Sequence, residues 1–159
     1  MNRFPSKKQL DDLLKYYQSG NNEKTYQLAS TLTKDFPYDT FAWKILSVYY
    51  KKIGKISNSL TAIQKVVSLS PKDAFAHYNL GNTFKDLKRY SEAEESYKKS
   101  VYLKPDFVEA IYNLAITFKE LEKFLEAEKA YKEAIVIRPN FANAYNNLGN
   151  VLESLGKLN

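Results

Sequence analysis

Apolar residues along this chain recur at the three-to-four spacing of amphipathic helices, in short blocks that come in pairs. Between residues 74 and 104, His77, Leu80, Gly81 and Phe84 line one stripe, and Ala93, Tyr97 and Ser100 line a second. The punctuation is just as regular. Pro37, Pro71, Pro105 and Pro139 fall 34 residues apart, and the five glycines take two places in that frame, Gly20, Gly54 and Gly156 in one and Gly81 and Gly149 in the other. A fixed period of this length predicts stacked helix-turn-helix units. The units run over 6–39, 40–73, 74–107 and 108–141, with a partial fifth over 142–159, and the whole of 1–159 is expected to form a single array. Gly20, Gly54 and Gly156 mark where the first helix of a unit stops and the chain reverses through a left-handed residue, and Lys88 and Glu122 hold that place in the other two units. Each proline is followed by Asp39, Asp73, Asp106 or Asn140, which are expected to cap the incoming helix. Helices of about 14 residues are about 20 Å long. The predicted class is all-α, an α-solenoid of antiparallel helix pairs.

The residues at these places resemble a known family. Trp-x-x-Leu-Gly-x-x-Tyr, then Ala-x-x-x-Phe, then Pro is the pattern of the tetratricopeptide repeat. His77, Leu80, Gly81, Phe84, Ala93, Tyr97 and Pro105 match it in the third unit, and Ile111, Leu114, Ala115, Phe118, Ala127, Tyr131, Ala134 and Pro139 in the fourth. Trp43, Leu46, Ser47, Tyr50, Ser59, Ile63 and Pro71 keep size and order in the second. The first unit is degenerate, with Gln9, Asp12 and Leu13 at the Trp, Leu and Gly places, and reads as a cap. The resemblance implies a right-handed superhelix whose first helices line a concave groove. Small residues are needed where helices cross closely, so Ser47, Gly81, Ala115 and Gly149 are expected to face Ser59, Ala93 and Ala127, with large neighbours filling the gaps.

Composition removes other readings. The chain has 159 residues, 44% of them apolar, which excludes disorder, and no apolar run long enough to span a membrane. The opening residues carry no secretory hydrophobic segment, so a soluble, cytoplasmic protein is expected. There is no cysteine and one histidine, His77, which stands at the tryptophan place and reads as packing. No metal, cofactor or enzymatic activity is expected. Gly81 and Gly149 lie inside predicted helices and form no phosphate loop. Glu92, Glu94 and Glu95 beside Lys98 and Lys99 read as a solvated helix face.

Three columns on the first helices point to a function. Asp11, Ile45, Asn79, Asn113 and Asn147 form one; Leu14, Val48, Asn82, Ile116 and Asn150 a second; Tyr17, Lys51, Lys85, Lys119 and Glu153 a third. A carboxamide offers two donors and an acceptor, so a line of asparagines suits the backbone of an extended peptide. The Lys51, Lys85 and Lys119 column adds attraction for acidic residues, and Tyr78 and Tyr112 offer flat apolar contacts. The Asn-Leu-Gly-Asn and Thr-Phe-Lys runs are similar to the repeat region of O-linked N-acetylglucosamine transferases, a likeness that implies asparagines holding polypeptide. The carboxylate clamp of chaperone-binding tetratricopeptide domains is incomplete: the third unit offers Tyr78 and Asn82, the fifth Asn143 and Asn147.

Charge is uneven. The net +6 is concentrated in residues 40–73, where six lysines meet only Asp73, and this basic patch reads as a solvated face, with an anion-binding surface as the alternative. Of 24 basic residues, only Arg3, Arg89 and Arg138 are arginine, which disfavours RNA or other nucleic acid as partner. Leu148, Val151, Leu152 and Leu155 form an apolar stripe at the end of the sequence, from which self-association or a longer protein is expected. The functional expectation is a protein-interaction scaffold gripping an extended, acidic peptide; the alternative is the substrate-recruiting region of a larger glycosyl-, sulfo- or methyltransferase.

Overall fold

The structure is a computed structural model that describes residues 4–157. Arg3 and the terminal Leu158 and Asn159 lie outside the described residues. The described residues form helices and connecting turns, with no strand, and fall into two compact units that meet between Lys72 and Asp73 in the sequence. No described helix is long and apolar enough to cross a membrane.

The first unit holds α1 (Lys7–Gln18), α2 (Asn22–Asp35), α3 (Thr40–Lys52) and α4 (Ile56–Leu69). Leu13, Ala29, Leu32, Ala42, Leu46 and Ala62 are buried together at its centre. Gln9, at the place of the repeat tryptophan, caps instead of packing. Ser6 and Gln9 form a reciprocal capping box, with the Ser6 amide donating to Gln9 Oε1 at 2.8 Å and the Gln9 amide to Ser6 Oγ at 3.3 Å.

The second unit holds α5 (Ala74–Asp86), α6 (Tyr90–Leu103), α7 (Val108–Glu120), α8 (Phe124–Ile137) and α9 (Ala142–Ser154). Each helix packs on the next, and α7 also touches α5 and α9. The large-against-small rule holds here in a specific form. A Cβ on Gly81 would lie 2.6 Å from the Tyr97 ring, so the glycine admits the tyrosine of the paired helix. Gly149, in the same register, has nothing within 4 Å, and there the expected notch is open.

The turns follow the period. Gly20, Gly54, Lys88, Glu122 and Gly156 all take positive φ, at 71°, 75°, 57°, 58° and 65°. The caps follow it only partly. Asp39 accepts the Phe41 and Ala42 amides and Asp73 the Phe75 and Ala76 amides. Asp106 and Asn140 do not cap. The 34-residue frame places the cap one residue later, at Phe107 and Phe141, which have no capping oxygen. Their rings pack instead, Phe107 against Tyr78 at 4.9 Å between centroids and Phe141 against Tyr112 at 4.6 Å.

Candidate functional site

The second unit brings most of the expected residues onto one face, shared by α5, α7 and α9. Four of them form a hydrogen-bonded network. Asn113 on α7 donates from Nδ2 to Asn82 Oδ1 at 3.0 Å and to the Tyr78 hydroxyl at 3.3 Å, both on α5. Its Oδ1 accepts from Lys85 Nζ at 3.2 Å. Asn82 Oδ1 also accepts from the Tyr97 hydroxyl at 2.7 Å, which ties the face to α6 beneath it. One repeat along, Asn147 on α9 donates to the Tyr112 hydroxyl at 2.9 Å. Tyr78 and Tyr112 therefore act through their hydroxyls as well as their rings. A carboxamide whose partners are all protein groups is rigidly placed, and its remaining lone pair is aimed.

The remaining expected residues are distributed unevenly. Asn79 and Asn150 are exposed, and Lys119 is half-buried and 3.7 Å from the Glu120 carboxylate. Lys51 is exposed on α3 in the first unit. On α9, Asn143, Asn146, Asn147 and Asn150 follow the three-to-four spacing of one helical stripe, three exposed and one half-buried.

The network does not repeat perfectly. Asn82 has Ile116 as its counterpart one repeat on, and the Tyr131 hydroxyl, the counterpart of Tyr97, is buried without a hydrogen-bond partner. Burial raises the pKa of both phenols, and both stay protonated at neutral pH. Asn147 lies close enough to Tyr131 to offset a little of that rise but is turned to Tyr112.

On the second helices the structure corrects the reading of the glutamates. Glu94 is no solvated group: only 7% of it is exposed, and it accepts from Lys98 Nζ at 2.6 Å and Lys123 Nζ at 2.7 Å. Glu128 repeats the arrangement with Lys132 at 2.7 Å and Lys157 at 2.6 Å. Burial pushes the Glu94 carboxyl up, but its two lysines hold it below its ordinary value. The hydrogen bonds of Lys132 and Lys157 bring Glu128 to about 2. Each triad ties a helix to the turn of the following repeat. Glu92 pairs with Arg89 as an exposed neighbour, as a solvated face would. The signal was in the sequence as the 34-residue recurrence of Glu94, Lys98 and Lys123.

Comparison with known proteins agrees with this architecture. Residues 74–107 match the family described as tetratricopeptide repeat, and residues 118–156 match one described as TPR repeat. No curated protein sequence matches the chain. Among solved structures, a MamA protein superposes with a TM-score of 0.89 at 23% identity, covering 94% of this chain and 81% of that one. MamA from Desulfovibrio magneticus RS-1 gives 0.88 at 18% identity, covering 95% and 85%. The first TPR of Spaghetti (RPAP3), bound to the HSP90 peptide SRMEEVD, gives 0.72 at 23% identity, covering 74% and 93%. At these identities the likeness is one of fold. The chain thus carries tetratricopeptide repeats at 74–107 and 118–156, and its fold is the tetratricopeptide solenoid of antiparallel helix pairs.

Proposed function

We propose that this protein is an interaction scaffold whose α5, α7 and α9 face binds an extended, acidic peptide. The observation that carries the reading is the pre-set carboxamide network: Asn113 is fixed by Tyr78, Asn82 and Lys85, and Asn147 by Tyr112. Side chains already ordered lose little entropy on binding, which favours recognition of a plain peptide backbone. Asn79, Asn147 and Asn150 supply the open donors and acceptors, while Asn113 holds the register. Lys85 and Lys119 attract carboxylates. A protein of the same fold binds an acidic HSP90 peptide, and the likeness of the Asn-Leu-Gly-Asn runs to O-linked N-acetylglucosamine transferase repeats supports asparagines as the gripping groups. The incomplete clamp residues argue against the HSP90 tail itself as the ligand here.

Peptide display tests this. Peptides selected on the intact chain should be acid-rich and extended, and should bind the Asn79→Ala, Asn113→Ala, Asn147→Ala variant at least about tenfold more weakly, the loss of one or two good hydrogen bonds. Equal affinity of every selected peptide for both proteins rejects the groove.

A further inference from the structure

The ion triads of the second unit show what is missing from the first. Sixty-eight residues before Glu94, Lys98 and Lys123 stand Tyr26, Ser30 and Lys55. The carboxylate and one lysine are gone, and the other lysine remains. Tyr26 and Ser30 line a cavity of about 350 Å³ between α2, α3 and α4, with Trp43, Leu46 and Tyr50 as further walls. Tyr26 does not fill it. Its ring leans on Tyr49 and Tyr50, at 5.5 and 6.1 Å between centroids, and stands as a side wall. Thr33, Asn58 and Thr61 add hydroxyls and a carboxamide, and Lys34 is the one charged group among the lining residues. Trp43 is held in place by its Nε1 donating to the Pro37 carbonyl at 3.2 Å. Two of its walls, α3 and α4, belong to the segment 40–73, which carries six lysines and a single aspartate.

We propose that this cavity receives an acidic segment of a partner protein, with one large apolar side chain seated against Trp43, Leu46 and Tyr50 and its flanking carboxylates turned to Lys34 and Lys55. The volume lies at the small end of ligand pockets and suits one anchoring side chain. The aromatic walls favour a ring at that anchor. The charge balance selects carboxylates, and an incoming acid supplies the group that Glu94 supplies internally in the second unit. A single-stranded nucleic acid fits less well, because Tyr26 and Tyr50 are committed to each other and the nearby cations are lysines without an arginine fork. Every lining residue belongs to the first unit, and none is a residue of the asparagine face.

Trp43 is the sole tryptophan, and its emission reports on this cavity directly. The full chain is titrated with a blocked seven-residue peptide of six acidic residues around a central phenylalanine. A saturable change in emission is expected. Lys34→Glu, on an exposed residue of α2, should weaken binding about tenfold. Tyr26→Glu with Ser30→Lys rebuilds the triad with Lys55 and should abolish binding while raising the melting temperature; if that double variant does not fold, Lys34→Glu decides alone. The Asn79→Ala, Asn113→Ala, Asn147→Ala variant should respond like the native chain, so failure here and failure of the asparagine face are told apart. Any of five results overturns the proposal: no saturable change with the native chain, unchanged affinity in the Lys34→Glu variant, an equal response to the peptide with serine in place of phenylalanine, an equal response to a single-stranded oligonucleotide, or loss of the response in the asparagine variant.

Discussion

Tyr97 and Tyr131 occupy the same place in successive repeats, both fully buried, yet only Tyr97 has a partner for its hydroxyl. Removing that hydroxyl should therefore have opposite consequences in the two repeats. Tyr97→Phe removes one of the two hydrogen bonds that Asn82 Oδ1 accepts and should cost about 1 kcal/mol, whereas Tyr131→Phe removes an unsatisfied buried group and should be neutral or stabilising. Urea denaturation of both variants checks this, and equal losses would contradict the network. The glutamate triads give a second prediction. Glu94 and Glu128 have carboxyls held below their ordinary value, Glu128 at about 2. A depressed folded-state pKa adds stability that is complete above the unfolded value and disappears as pH falls through the folded one. The melting temperature should thus fall between about pH 5 and pH 2, and Glu128→Gln should flatten that fall; an unchanged profile would mean the triads add nothing. Hydrophobic patterning exposes neither feature. Periodicity places Tyr97 and Tyr131 in the core alike, and only the pairing of Asn82 with Ile116 across repeats separates them.

At the scale of the element, the helix spans and turns were legible because rare residues mark them. Lys88 and Glu122 were readable as left-handed residues only because Gly20, Gly54 and Gly156 define that place, and both take it, at φ 57° and 58°. The caps at Asp106 and Asn140 were misplaced by one residue, since a nearby polar side chain looks like a cap unless the frame is counted from Asp39 and Asp73. Gly81 and Gly149 also read alike in sequence but differ in surroundings. Gly81→Ala drives a methyl into the Tyr97 ring and should cost about 1 to 3 kcal/mol. Gly149→Ala meets open space within a helix and should stabilise by about 0.5 to 1 kcal/mol. Thermal melts of the pair decide whether the glycine is a packing notch or only a tolerated helix residue. A gain in stability at Gly81 would refute the close crossing.

Across the whole molecule, the same 34-residue frame carries packing and ion pairs, so each repeat is read best by its departures from the others. Where the frame is kept, Glu94 and Glu128 tie neighbouring repeats and Asn113 and Asn147 lock onto tyrosines of the preceding one. Where it is broken, at Tyr26, Ser30 and Ile116, the molecule shows a cavity and an orphaned hydroxyl. The excess of positive charge lies mostly in 40–73, which makes acidic partners the electrostatic match and their association rates salt-sensitive. The asparagine columns were legible in the sequence, but the tying up of Asn113 by three neighbours was not, because it depends on side-chain geometry between α5 and α7. The central claim is that the open carboxamides of the second unit hold a peptide backbone. The most direct measurement is the NMR signal of the asparagine side-chain NH2 groups during titration with a selected acidic peptide. Shifts at Asn79, Asn147 and Asn150, with Asn21 unmoved on α1's outgoing turn, are the predicted result; binding that leaves those three signals in place would contradict it.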